Sequence, residues 1–388
     1  MVSLEHIESK CCLAKPKNNQ MNPSHPHFRG KLSSIEVPVC KIGRISSESV
    51  LETDSKFSFN YEQSLLDSLL LAQWDKFSWN GLVKYDVTSC ATKIVESDGG
   101  GGVFVVQLNE NCNFDLFKEN GNTNSSCEQH GISEKIFTED ILFCIKLEGM
   151  NDKPELILSA PIPNNSIMVI LNETPVEYGH VFLLPHDGEF IELLDSAMNV
   201  SADINNSSLR IFYDSPASSS DLIYFEACHF ANNLAVELMP TISVFDGLND
   251  EGIGIFEILN YPLKTMMFAC EKKNDFGFFI EVVSEICSCL LHQDVGFNLL
   301  ISDSGRKVFL FFQVGISAKY RKLNALECGG HFVLSSFEDF NKIEEEEIMK
   351  CLAKVSLDDK SFKKVKKLSC DVAIGSTKNA ALGLASEP

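Results

Sequence analysis

Two apolar runs separated by four turn residues constrain this chain more than any other stretch. Phe297-Asn-Leu-Leu-Ile-Ser302 and Lys307-Val-Phe-Leu-Phe-Phe312 flank Asp303-Ser-Gly-Arg306. That pattern predicts a β-hairpin whose strands pack into a core. Further apolar, β-rich runs lie at Val103–Leu108, Ile141–Leu147, Ile167–Leu171, Leu209–Tyr213, Leu222–Phe230 and His331–Leu334. Glu177–Pro185 reads as a turn and a buried strand that proline stops. Helices are expected over Glu62–Phe77, Ile191–Ser201, Asn274–Gln293 and the acidic Ile343–Leu352. In the first of these Leu65, Leu66, Leu69, Leu70 and Trp74 recur at helical spacing. Helices scattered among hairpin-joined strands, rather than alternating with them, predict an α+β fold with a mostly antiparallel sheet.

Residues 1–57 read as a poorly ordered leader, because Asn22-Pro-Ser-His-Pro-His27 excludes regular structure there. A first half over 58–250, a second over 251–368 and a flexible tail over 369–388 follow. Gly81–Thr88 reads as a turn and strand, and Asn109–Lys135 as a polar surface loop. The glycine run Gly99–Gly102 could cradle phosphate only with a helix N-terminus behind it. A strand-like run follows instead, so a hairpin turn is the expectation. No internal sequence repeat is apparent.

With 54 Asp+Glu against 33 Lys+Arg, the formal net charge is −21. Nucleic acids and anionic membranes select basic patches, and the only dense basic stretch is Lys363–Lys367. Neither is an expected partner. The 14 cysteines include no C-x-x-C pair, so they give no zinc or thioredoxin-like signature and read as small apolar residues of a reduced protein. No apolar run approaches the ~20 residues of a membrane helix, and the N-terminus lacks signal-peptide character. The expected location is cytoplasmic or nuclear.

From Gly81-Leu-Val-Lys-Tyr-Asp-Val-Thr-Ser-Cys-Ala-Thr-Lys93 onward the chain resembles the plant GDP-L-galactose phosphorylases. These are relatives of the animal GDP-D-glucose phosphorylases, in the histidine-triad and galactose-1-phosphate uridylyltransferase superfamily. The likeness continues through Val106-Gln-Leu-Asn-Glu110, Pro175–Pro185, Phe297–Arg306 and Gly330-His-Phe-Val-Leu334 to Ser361-Phe-Lys-Lys364. It covers about residues 60 to 365, but not the leader or tail. It implies two histidine-triad-like halves on a mostly antiparallel sheet, and no cofactor. It also implies a reaction, GDP-hexose plus phosphate giving GDP plus hexose-1-phosphate. In the family a histidine of a His-x-His-x-Gln strand attacks the α-phosphorus and carries the guanylyl group. The other His and the Gln orient it and donate to phosphate oxygens.

Here the resemblance departs. Anchored on the shared segment Ala231 to Thr241, the motif falls on Leu222, Tyr224 and Glu226. A gapless count from Tyr213 puts the triplet on Tyr224, Glu226 and Cys228. Neither register supplies a histidine pair. A tyrosine of pKa near 10 attacks only when strongly activated. A glutamate beside a diphosphate repels it by about 1 kcal/mol in water at 4 Å, and more when desolvated. His229 is close in sequence, but its phase in a regular strand turns it to the opposite face. The basic cluster that the family places after Gln-Leu-Asn-Glu is also replaced, by Asn111-Cys-Asn-Phe-Asp-Leu-Phe117 with Lys118 the one cation near it. The glycine-containing segment before the strand has become Pro216–Asp221.

The resemblance leaves Tyr178, Gly179, His180, Asn298, Asp303 and Arg306 as ligand-binding candidates. Tyr178–His180 is a turn that either shapes the following strand or touches ligand. Arg306 is either a bidentate phosphate partner or an exposed turn residue, and His331 reads as packing. No metal site is expected. The reading that follows is a phosphorylase relative whose chemistry is impaired, retained as an interaction or nucleotide-sugar-binding regulator. GDP or a GDP-hexose, and a protein such as an active phosphorylase of the same family, are its expected partners. The alternative is a phosphorylase or related nucleotidyltransferase that works through an altered site.

Overall fold

The computed structural model describes residues 35–45, 63–96, 103–111, 140–150, 153–186, 188–215, 222–247, 252–272, 275–314 and 321–384. The glycine run 99–102, most of the polar loop (112–135), the segment 216–221 and the leader before Ile35 lie outside the described residues. The strands in chain order are β1 (Glu36–Arg44), β2 (Thr92–Glu96), β3 (Val103–Leu108), β4 (Ile141–Met150) and β5 (Glu155–Pro161). Next come β6 (Ser166–Leu171), β7 (Tyr178–Pro185), β8 (Leu209–Tyr213), β9 (Phe225–His229) and β10 (Thr241–Gly247). The last are β11 (Ile253–Ile258), β12 (Thr265–Cys270), β13 (Phe297–Ser302), β14 (Lys307–Phe312) and β15 (His331–Leu334). The helices are α1 (Leu65–Trp79), α2 (Phe190–Ile204), α3 (Phe276–His292), α4 (Ala325–Gly329), α5 (Phe337–Lys342), α6 (Glu345–Val355) and α7 (Asp359–Leu384).

Twelve strands form one sheet in the order β10-β11-β12-β14-β13-β8-β9-β7-β6-β4-β1-β5, and β15-β3-β2 form a second. Every neighbour in the large sheet is antiparallel except β1 on β4. The expected α+β fold on a mostly antiparallel sheet is therefore what forms. The Phe297–Phe312 hairpin pairs in register from Phe297 against Phe312 to Ser302 against Lys307.

One face of the large sheet is covered by α1, α2, α3 and part of α7. Leu66, Leu69, Leu70 and Trp74 of α1 lie buried there, as their spacing requires. The α1 N-terminus is set by Ser64, whose side chain accepts from the Asp67 N–H. On the opposite, front face two apolar clusters meet. One joins Val37, Val39, Met168, Ile170, Phe182 and Leu184. The other packs the small sheet and α6 over Phe212, Leu300, Phe309 and Phe311.

Four expectations differ from this arrangement. Residues 36–44, read as leader, form a strand inside the sheet between β4 and β5. Its Pro38 is accommodated where the β1–β5 register shifts between Val37 and Val39. Gly81–Thr88 forms no strand, because Asp86 accepts from the Thr88 N–H and hydroxyl and winds a short 3₁₀ turn over Val87–Ser89. The run Leu222–Phe230 enters the ladder only from Phe225. Residues 369–384 continue α7, with Ser369 and Ala373 buried against the sheet. In addition, β10 pairs with β11, so the expected border at 250 falls within a hairpin.

Candidate functional site

Strand β9 crosses the middle of the large sheet, and its alternation sorts the residues of interest. Phe225 and Ala227 join the helix-covered core, with His229 on the same side. Leu222 and Tyr224 pack half-buried against the first front cluster, while Cys228 and Phe230 belong to the second. Glu226 stands between the two clusters. Tyr224 meets Phe182 edge-on, with ring centroids 5.5 Å apart.

Glu226 is held by His180. His180 Nδ1 accepts the Val176 N–H at 3.0 Å, which places the ring proton on Nε2. Nε2 then donates to Glu226 Oε2 at 2.9 Å. The His180 side chain is 2% exposed and that of Glu226 18%. The Val176 carbonyl accepts from Gln107 Nε2 at 2.9 Å, so the small sheet braces the peptide that orients the ring.

Tyr178 does not share this face, although a regular strand would put residues 178 and 180 on one side. The β7–β9 register shifts between Tyr178 and Val181, and Gly179 sits at φ +72°. The chain therefore turns over at Gly179, a conformation that disfavours a Cβ. Tyr178 packs on Trp74 and donates to Asp75 at 2.6 Å. Burial, then Asp75, pushes its hydroxyl up to about 12. A Cβ at Gly179 would also lie 3.0 Å from His229 Nδ1. His229 faces the helices, as its phase predicts, and pairs with Asp67 at 2.9 Å.

Asn298 is fully buried. It accepts the Ser215 N–H at 3.2 Å and donates to the Leu323 carbonyl at 2.8 Å, tying two segments to the front of β13. Asp303 and Arg306 lie elsewhere. Their turn folds against Phe276 and Met198 on the helix-covered side. There Arg306 Nε donates to the Asp303 carbonyl at 3.1 Å, and its guanidinium pairs with the Asp303 carboxylate. The Arg306 side chain is 19% exposed and bonds within its own turn. His331 is 1% exposed, with Phe230 edge-on at 5.4 Å. Neither ring nitrogen has a partner among the described residues, and burial pushes it down to about 4.

Sequence reading missed Asp214 and Lys322, which complete the site. Asp214 accepts the Ala325 N–H at 2.5 Å at the start of α4, and Lys322 Nζ donates to the Ser215 carbonyl at 2.7 Å. Burial raises Asp214, and the Glu226 carboxylate raises it further, while burial lowers Lys322. Glu177, beside this cluster, is pushed up to about 7 by burial. Arg321 and Arg210 are matched by Glu327 and Glu237 at 2.7 and 3.0 Å. The centre thus gathers acidic side chains around one half-buried lysine. Its only sequence signal was the charged flank of two otherwise apolar segments. Among the described residues no group of three or more His, Cys, Asp or Glu could hold a metal, and no helix is long and apolar enough to cross a membrane.

Comparison with known proteins places these elements. The model described as "GDPGP1-like, N-terminal domain" matches residues 65–228, and "GDPGP1-like, C-terminal domain" matches residues 235–375. GDP-L-galactose phosphorylase 1 of Arabidopsis thaliana is 30% identical over 338 residues, covering 80% of this chain and 74% of that protein. GDP-L-galactose phosphorylase 2 of the same plant is 28% identical over 340 residues, covering 80% and 77%. The crystal structure of yeast Ap4A phosphorylase Apa2 superposes with a TM-score of 0.51 at 13% identity, covering 76% of this chain and 98% of that one. Its complex with Ap4A gives 0.50 with the same coverage. At that identity the likeness establishes the fold, a histidine-triad-type α+β sheet.

Proposed function

This chain belongs to the GDPGP1-like family, and on that premise we propose that it is a catalytically impaired member that acts as a nucleotide-sugar-binding or interaction regulator. One observation carries this reading: the front of β9 and the residues leading into it offer Leu222, Tyr224, Glu226 and Cys228, and no histidine. The resemblance puts the reacting His-x-His-x-Gln on the first three. Leu222 and Tyr224 pack into the apolar front cluster, and Glu226 is engaged by His180. Guanylyl transfer through a nitrogen–phosphorus bond needs an imidazole at the nucleophile's place. A phenol packed edge-on against Phe182 is a poor substitute.

A second reading has its own observation. Tyr224 lies two residues from a histidine-bound carboxylate, so an altered site with Tyr224 as nucleophile and Glu226 as base would keep phosphorylase or other nucleotidyl-transfer chemistry. The two readings separate in one assay. GDP release from GDP-L-galactose and from GDP-D-glucose is measured with inorganic phosphate, for the native chain and for Leu222→His/Tyr224→His/Glu226→Gln. The impaired reading expects a silent native protein and turnover in the restored one. Phosphate-dependent turnover by the native protein that Tyr224→Phe abolishes would establish the altered-site enzyme instead.

A further inference from the structure

A carboxylate held by one oxygen presents the other. The Val176 N–H on Nδ1 fixes the His180 proton on Nε2, and the Gln107 bond to the Val176 carbonyl fixes that peptide in turn. The ring cannot turn an acceptor toward residue 226 without giving up the Val176 bond. Glu226 Oε2 is therefore permanently engaged, and Oε1, on a side chain 18% exposed, takes no hydrogen bond from the described residues. At this point of the sheet the protein offers an acceptor and a negative charge.

We propose that residue 226 sets the hydrogen-bond polarity of the site, so that the ligand group beside it is a donor such as a sugar or ribose hydroxyl, and a phosphoryl oxygen is turned away. This rests on the nucleotide-binding reading above and narrows it to uncharged nucleoside or sugar moieties over a diphosphate. Beside it lie Asp214, whose carboxyl is raised by burial and then by Glu226, and Lys322, which gives one of its three N–H donors to the Ser215 carbonyl. A glutamine at 226 would obey the same constraint. His180 Nε2–H would hold its carbonyl oxygen, and its NH₂ would point where Oε1 now lies. One substituted atom converts acceptor to donor and removes the charge, with the bond to His180 intact.

Titration calorimetry with guanosine and with GDP, on the full chain and on Glu226→Gln, tests this. The expected result is a GDP-to-guanosine affinity ratio that rises about tenfold or more in Glu226→Gln, since the charge that turns the diphosphate away is removed. Guanosine affinity should fall by about threefold or more, because the acceptor its ribose hydroxyl uses has become a donor. An unchanged ratio, with both compounds binding, overturns the inference and leaves nucleotide binding standing. Absence of binding by either compound to either protein overturns the nucleotide reading and the inference with it. Nitrogen NMR of the imidazoles supplies an independent check: His180 should carry its proton on Nε2 in both proteins, and an Nδ1 proton would remove the premise.

Discussion

Two histidine–carboxylate pairs stand on opposite faces of the same sheet, each with a nitrogen–oxygen distance of 2.9 Å. On the helix-covered face His229 meets Asp67, whose other oxygen also accepts from Gln63 and Asn206 at 3.0 and 3.1 Å. That carboxylate is 2% exposed and takes three side-chain hydrogen bonds. On the front face Glu226 accepts from His180 and keeps 18% of its side chain in reach of solvent. The carboxylate with three partners joins helix to sheet, whereas the one with a single partner has an oxygen left for something else. Partner count and exposure, rather than the pair itself, tell a joint from a site.

The comparison can be broken by substitution, the largest effect coming from the joint. Asp67→Ala strands His229, Gln63 and Asn206 and should cost about 3–5 kcal/mol in urea-unfolding stability. A loss under about 1 kcal/mol would mean the helix-face pair is no more structural than the front one. Acid also weakens the joint. Burial raises Asp67, but His229, Asn206 and Gln63 together hold it below the usual carboxylate range. Its contribution is present above the unfolded pKa and fades as pH falls through the lower folded value.

His331 sharpens the contrast as a histidine with no carboxylate. Its folded pKa of about 4 lies below the ordinary 6.5, so between those values the folded state binds fewer protons than the unfolded chain. Stability should hold above pH 6.5 and decline toward pH 4, by on the order of 3 kcal/mol. Stability curves for His331→Phe across that range should lack this component. Gly179→Ala comes next. The left-handed φ and the 3.0 Å approach to His229 Nδ1 should cost about 2 kcal/mol in chemical denaturation. Smallest of all, Glu226→Gln keeps the bond from His180 and should shift stability by less than about 0.5 kcal/mol. A large loss there would make the front pair a joint after all.

Periodicity made much of the fold legible, since runs such as Phe297–Phe312 and Leu65–Trp74 can bury only one way. It failed where local or long-range partners decide. Asp86 wound its own turn, Pro38 concealed a strand that a register shift accommodates, and the small residues after Ser369 carry a helix because Ser369 and Ala373 meet the sheet. At the site, alternation correctly turned His229 away from Tyr224, and the resemblance singled out Glu226 and His180. Their hydrogen bond was beyond it, because it joins two strands 46 residues apart. Tyr178 leaves the face of His180 because the left-handed Gly179 reverses the alternation. Asp214 and Lys322 have no motif; only the three-dimensional approach of β8 to the segment before α4 brings them together.

Strand β1 runs parallel to β4 and antiparallel to β5, and fills the slot between them. A shortened chain that begins where the family match does, at residue 65, would leave that slot vacant and bare two ladder edges, an invitation to aggregate. Supplied separately, a synthetic peptide spanning Ile35–Ile45 would have a template on both sides. The slot could thus serve as a split-protein reporter, with rescue of solubility by the added peptide as its signal.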